Sequence, residues 1–244
     1  MSRPPWLGTS PEDPFPPVSQ ALSQPNGLLA IGGDLTVPRL LRAYRCGIFP
    51  WYMPGEPLLW WSPDPRCVFG THRMHVPRRL ARWLKDTSWC VTADRDFAGV
   101  IDGCAAPRRD EGGTWISPEM RAAYLELHVR GYAHSFEARE GERLVGGLYG
   151  VALGRMFFAE SMFSAESNGS KVALLMLAAV LREWGWPMID AQVASPHLQT
   201  LGAVQMRRAA FLRAVESLVR AEGMPGHWHV RVGTRKAAAL AAPD

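Results

Sequence analysis

The chain reads as an α+β protein, a small N-terminal domain packed on a larger domain built around a mixed sheet. Two observations carry that reading. Strand and helix signals follow one another irregularly, three strand-like runs in direct succession and then a helix, a strand and a helix, unlike the strict alternation of a doubly wound sheet. Residues 48–66, Ile-Phe-Pro-Trp-Tyr-Met-Pro-Gly-Glu-Pro-Leu-Leu-Trp-Trp-Ser-Pro-Asp-Pro-Arg, are so rich in proline and aromatic rings that neither a helix nor a central strand accommodates them. They read as shaped irregular chain closing a unit at 1–66, too small to bury much alone; a domain at 67–236 and a tail at 237–244 follow.

In the first unit, residues 1–24 carry prolines and serines and read as extended, loosely held chain. Order begins near Asn26-Gly27, and Leu28 to Ile31 lead through Gly32-Gly33-Asp34 into a short helix, with Thr36 as N-cap, Pro38 in the first turn and Gly47 as the stop. Short strands at 67–69 and 89–92 flank a basic helix at 77–85, and another helix covers 97–105. Ser117-Pro118-Glu119 opens a helix ending at Gly131. Strands at 132–139, 143–151 and 155–160, joined by Glu140-Gly141-Glu142 and Leu153-Gly154, form an antiparallel meander. The helix at 171–184 is apolar on nearly every side and must be buried; Gly185 stops it, a strand at 187–193 follows, and an amphipathic helix at 207–221 comes last.

Composition bounds the function classes. Of 244 residues, 47% are hydrophobic and 20% charged, enough for a sizeable core. The net charge of +4 is clustered: Arg66, Arg73, Arg78, Arg79, Arg82 and Lys85, with His72 and His75, occur between residues 66 and 85 without one acid. That run suits a phosphate backbone, the alternative being a solvated helix face. Cys46, Cys67, Cys90 and Cys104 form no Cys-x-x-Cys pair and have no histidine in metal-ligand spacing, so reduced thiols and no metal are expected. With no export leader and no run of about 18 apolar residues, a cytoplasmic location is expected.

Two segments carry chemistry. Phe157-Phe158-Ala159-Glu160 ends a strand on a carboxylate, with Phe158 and Glu160 sharing one face. In Ile189-Asp190-Ala191-Gln192, Asp190 and Gln192 address one small volume, and a carboxylate there needs partners. Each also has a structural reading, an edge carboxylate in water and a hydrogen-bonded core polar group. Ser161, Ser164 and His134 lack a Gly-x-Ser-x-Gly elbow; Asp102, Asp110, Glu111 and His128 lack metal-ligand spacing and read as surface charge. The element order matches an acetyltransferase-like (GNAT-like) layout, but Ser164-Ala165-Glu166-Ser167-Asn168-Gly169-Ser170-Lys171 has one glycine and an added carboxylate where a pyrophosphate cradle would sit, which disfavours acetyl-CoA.

Pro25-Asn26-Gly27-Leu28-Leu29-Ala30-Ile31-Gly32-Gly33-Asp34-Leu35, Gly47-Ile48-Phe49-Pro50-Trp51, Leu59-Trp60-Trp61-Ser62-Pro63-Asp64-Pro65-Arg66, Gly113-Thr114-Trp115-Ile116, Glu160-Ser161-Met162-Phe163-Ser164 and Ile189-Asp190-Ala191-Gln192 resemble, in this order, the bacterial leucyl/phenylalanyl-tRNA–protein transferase family. The resemblance implies transfer of Leu or Phe, with Met as a further donor, from aminoacyl-tRNA to the N-terminal Arg or Lys of acceptor proteins. That transfer would mark them for N-end-rule degradation. It implies no cofactor, a monomer, and a small domain packed on an acetyltransferase-like domain that uses tRNA where relatives use CoA.

By the same resemblance, Asp190 polarises or orients Gln192, which helps relay the proton from the attacking amine or orients that amine, and Glu160 helps hold the acceptor's basic N-terminus. Leu148, Phe157 and Leu177 correspond to the pocket for the donor side chain, Leu177 standing where related sequences can carry Phe. Trp51 and Trp115 match residues expected on the terminal adenosine, and Arg66, Arg78, Arg79, Arg82 and Lys85 would hold the acceptor stem. Rival readings are a CoA-dependent N-acyltransferase and a noncatalytic tRNA- or RNA-binding module.

Overall fold

The computed structural model describes residues 3–10, 12–106 and 114–241. Asp110, Glu111 and Gly113, and the last three residues of the expected tail, lie outside them. Among the described residues the chain is a mixed α/β structure with two sheets.

The first sheet has the order β1-β2-β4-β3, made by β1 (Trp6–Leu7), β2 (Leu28–Gly32), β3 (Phe49–Pro50) and β4 (Leu59–Trp61), with α1 (Val37–Arg45) between the second and third. The aromatic-proline stretch is therefore not wholly irregular. Its strands are short, Pro50 lies on the edge strand where a missing N–H costs nothing, and the internal strand Leu59–Trp61 contains no proline. The lead is also held down. Trp6 and Leu7 pair parallel with Ile31 and Gly32, Phe15 packs edge-on against Trp60, and Arg39 reaches back to the carbonyls of Gly8 and Ser10.

The second sheet has eight strands in the order β11-β5-β10-β9-β8-β7-β6-β12. Its members are β5 (Arg66–Gly70), β6 (Cys90–Ala93), β7 (Ala133–Glu140), β8 (Arg143–Leu153), β9 (Met156–Ser164), β10 (Met188–Gln192), β11 (Val204–Met206) and β12 (Arg235–Lys236). The expected meander is β7–β9, and β9 runs four residues beyond the expected end because Ser161 to Ser164 go on pairing with β8. At the end of the expected domain Arg235 and Lys236 add an edge strand to β6, and Ala237, the first residue of the expected tail, is buried.

Helices cover both faces of this sheet. On one lies α5 (Gly169–Glu183), with Leu80 and Leu84 of α2 (Arg78–Asp86) in the same apolar cluster. On the other lie α1, α3 (Phe97–Ala105), α4 (Pro118–Val129) and α7 (Arg208–Arg220). Ser117 caps α4 by accepting from the Met120 amide, and Asp96 caps α3 by accepting from Gly99. Short α6 (Pro196–Gln199) and α8 (His229–Val232) complete the set.

The start of α5 is jammed against β8. A Cβ on Gly169 would strike the Val145 carbonyl oxygen and the Gly146 Cα. Ser164 Oγ takes the Ser170 amide at 2.9 Å, and the N-terminus of the helix is closed by its own chain. Gly169→Ala should therefore cost about 1–3 kcal/mol through overpacking, read from the denaturation midpoint at unchanged slope.

Candidate active site

Strands β9 and β10 run parallel, with pairing only as far as Phe158 and Asp190. Beyond that pair both strands are interrupted. On β9, Glu160 is the extra residue of a bulge: Ser161 faces Tyr149 and Ala159 faces Gly150, leaving Glu160 without a partner on β8. A Cβ on Gly150 would run into the Phe158 carbonyl, so the bulge requires glycine opposite. On β10, Ala191 is skipped against β5, where Asp190 faces Val68 and Gln192 faces Cys67. Gln192 lands at φ 59°, a left-handed conformation costing a non-glycine residue about 1–3 kcal/mol unless its surroundings enforce it.

Where the strands part, a cavity of about 450 Å³ opens. Phe69, Leu148, Met162, Leu174 and Leu198 give it apolar walls; Phe49, Pro50, Trp51 and Trp115 line its N-terminal side; Glu160, Gln192 and Ser195 supply polar atoms. Trp51 is 43% exposed, supported by Trp61, whose indole N–H donates to the Trp51 carbonyl at 2.6 Å.

The polar end is a connected network. Gln192 Nε2 donates to Glu160 Oε1 at 2.8 Å, and Tyr124 donates to Glu160 Oε2 at 2.6 Å. The Tyr44 hydroxyl lies 2.6 Å from that of Tyr124. Burial pushes the Glu160 carboxyl up to about 7; the tyrosine hydrogen bonds oppose the rise, and the Asp190 charge adds to it. Because an ionised carboxylate only accepts, it holds the Gln192 amide nitrogen toward itself and leaves the amide oxygen for another partner.

Asp190 is completely buried and does not line the cavity. Its Oδ1 takes Arg66 Nε at 2.8 Å and the Gln192 backbone N–H at 2.9 Å, and its Oδ2 takes Arg66 Nη2 at 2.6 Å. Asp190 thus grips the backbone of Gln192, while Glu160 grips its side chain.

Several expectations need correction. Arg66 cannot hold phosphates: it is 1% exposed, paired to Asp190, and sandwiched between the rings of Phe49 and Phe211 at 4.7 and 4.6 Å. Phe157 and Leu177 do not line the cavity. Phe157 precedes the point of divergence, still opposite Ile189 on β10, and its side chain stays in the core with Trp228; Leu177 lies one turn beyond the lining Leu174. Trp60 is tied to the Gly32 carbonyl and Phe15 within the N-terminal segment. Hydrogen bonds from the N-terminal segment to the later chain are made by Tyr44 with Tyr124, Tyr52 with Ser117, and Arg208 with Ser62 and Asp64. Arg78, Arg79, Arg82 and Lys85 are exposed along α2.

His128 is not surface charge. It stacks on Phe97 at 4.3 Å, and with Asp94 and His227 it forms a group whose potential ligand atoms lie within 4.8 Å of one another. Positions so far apart in the chain leave no spacing signal. Asp94 there already accepts from His134, Ser135 and Trp228, and His128 Nδ1 faces the Ala133 carbonyl, so these groups chiefly anchor the C-terminal segment. Tyr44, Tyr124, Phe69, Met162, Leu174 and Leu198 were missed as site residues. Gly146-Gly147 and Gly150 inside a strand pattern were the available signal for irregularity beside the site.

Residues 68–216 match the model of the leucyl/phenylalanyl-tRNA protein transferase family, and residues 33–64 match that family's N-terminal domain. The chain belongs to this family. It is 56% identical over 239 residues to a leucyl/phenylalanyl-tRNA–protein transferase of Xanthomonas euvesicatoria pv. vesicatoria, covering 98% of this chain and 96% of that one. To a protein of the same description from Xanthomonas campestris pv. campestris it is 55% identical over 244 residues, covering 99% and 98%. A solved structure of a functionally unknown conserved protein from Staphylococcus epidermidis is 11% identical, with a TM-score of 0.40 over 74% of this chain and 68% of that one, a slight likeness.

Removing one partner of a buried ion pair leaves the other charge uncompensated. Asp190→Ala should accordingly lower stability by about 3–5 kcal/mol, whereas Asp190→Asn, which still accepts from the Gln192 amide, should cost less; chemical denaturation of both checks the order.

Proposed function

We propose that the chain moves Leu or Phe, and also Met, from aminoacyl-tRNA to the N-terminal Arg or Lys of acceptor proteins, and so marks them for degradation by the N-end rule. Membership of the transferase family supports the reaction class. The observation that carries the residue assignments is the apolar cavity at the parting of β9 and β10, with a carboxylate–amide pair at its polar end.

The aminoacyl ester is already activated, so the chain has mainly to position its substrates. Leu148, Phe69, Met162 and Leu174 suit an aliphatic or aromatic donor side chain, and Trp51 and Trp115 suit stacking on the terminal adenosine. The acceptor amine attacks the ester carbonyl, a C–N bond forms, the ribose oxygen leaves, and the amine's proton passes to it. An amide is a poor base; Gln192 orients the amine through its free carbonyl oxygen while ionised Glu160 holds the amide and attracts the acceptor's positive N-terminus. Asp190 acts through the Gln192 backbone.

Arg78, Arg79, Arg82 and Lys85 would contact the acceptor stem by its phosphates. The same reading takes a small domain at 1–66 on an acetyltransferase-like domain at 67–236, working in the cytoplasm as a monomer. Among the described residues no helix is long and apolar enough to cross a membrane. The closed start of α5, with Gly169 against Gly146, disfavours the CoA-dependent alternative, because no amide cradle faces open space there.

Purified protein given Leu-tRNA or Phe-tRNA should extend peptides beginning with Arg or Lys and not those beginning with Ala; equal use of all three would remove the acceptor assignment. Single-turnover transfer should rise with pH through about 7, as Glu160 ionises, and again near 8 with the amine. In Glu160→Gln the lower limb should vanish. Replacing Arg78, Arg79 and Arg82 together by Ala should flatten the dependence of log K for tRNA on log salt by a slope of about 2 to 3.

A further inference from the structure

Arg66 joins three parts of the molecule with one side chain. It forks onto both oxygens of Asp190 on β10, donates Nη1 to the Gly47 carbonyl at 3.0 Å before β3, and is clamped between Phe49 of β3 and Phe211 of α7. Asp190 in turn holds the backbone N–H of Gln192 in its left-handed turn. A planar, bidentate, doubly stacked donor is what this place demands; lysine offers a point charge and no flat face. A buried ion pair adds little stability over an apolar pair of equal volume, so the contribution of this one is directional.

We propose that Arg66 is a positioning residue for aminoacyl transfer, fixing the backbone of Gln192 through Asp190 and setting the N-terminal wall of the cavity through Gly47 and Phe49. The inference rests on the reading of Gln192 and Glu160 given above. The groups facing Glu160 are Tyr44 from α1, Tyr124 from α4, Tyr149 from β8, Asp190 and Gln192 from β10, and Arg66 from β5. Arg66 and Asp190 act on it with opposite sign.

The test compares Arg66→Lys, Arg66→Met and Arg66→Met/Asp190→Asn with the wild-type chain, using charged Phe-tRNA and an Arg-initiated peptide. Circular dichroism monitors folding, and filter binding measures donor affinity. Arg66→Met should lose at least about tenfold in kcat with the donor Kd within about twofold, as expected of a misplaced catalytic group. Arg66→Lys should recover part of the loss.

The double variant carries no uncompensated charge and keeps the test open should Arg66→Met fail to fold; it should remain slow. Wild-type kcat in a folded Arg66→Met or double variant would overturn the proposal, as would a donor Kd that weakens as much as kcat falls. If Glu160→Gln keeps the limb near 7, the reading of Glu160 falls separately, and the kcat loss alone then decides on Arg66.

Discussion

The buried pairing of Arg66 with Asp190 is the contact on which the rest of the site's geometry hangs. It lies where β5 meets β10, under the N-terminal segment and against α7, and it is almost wholly removed from water. Two charges in such a place are stable only with all their directional bonds made, which here means both carboxylate oxygens, the Gln192 amide and the Gly47 carbonyl. Those bonds tie β5 to β10, β10 to its own turn at Gln192, and β5 to the segment before β3. The requirement to satisfy them brings the pieces into one arrangement.

The cavity follows from two interruptions in neighbouring strands. A regular parallel pair would carry its hydrogen bonds past Phe158 and Asp190 and leave no space; bulges at Glu160 and Ala191 stop the ladder in both strands at nearly the same height. The cost appears as a left-handed Gln192 and a carboxyl raised to about 7 by burial. Local hydrogen bonds offset both, Asp190 for the first and Tyr124 for the second. A strained backbone and a perturbed carboxyl beside one apolar cavity are the physical marks of a site that positions reactants.

The aromatic-proline stretch illustrates how local rules mislead and are then recovered. Proline and clustered tryptophans argue against regular structure, yet β3 and β4 form because they are two and three residues long and Pro50 faces an open edge. Trp60 fills the first sheet's own core, Trp61 braces Trp51, and Trp51 borders the cavity. Three neighbouring tryptophans therefore have three different surroundings: Trp60 and Trp61 alternate across β4, and Trp51 lies just past the end of β3.

Sequence by itself determined the elements whose signals are local. The opening of a helix at Ser117, the meander and its turns, the all-apolar helix and the sharing of one face by Phe158 and Glu160 depend on spacing and turn chemistry within a few residues. Family motifs picked out Glu160, Asp190 and Gln192. Tertiary structure alone decided what these residues touch. Arg66 reads as one more member of a basic run until β10 is laid beside β5, 124 residues later in the chain, and supplies the carboxylate that removes it from the surface. Phe157 and Leu177 read as pocket residues until the divergence of β9 and β10 is located one step beyond Phe157. Tyr44 and Tyr124 give no signal at all, because a hydrogen bond 80 residues long has no periodicity to reveal it. Local energetics is written in adjacent residues; partners for buried charges are chosen only when distant strands meet.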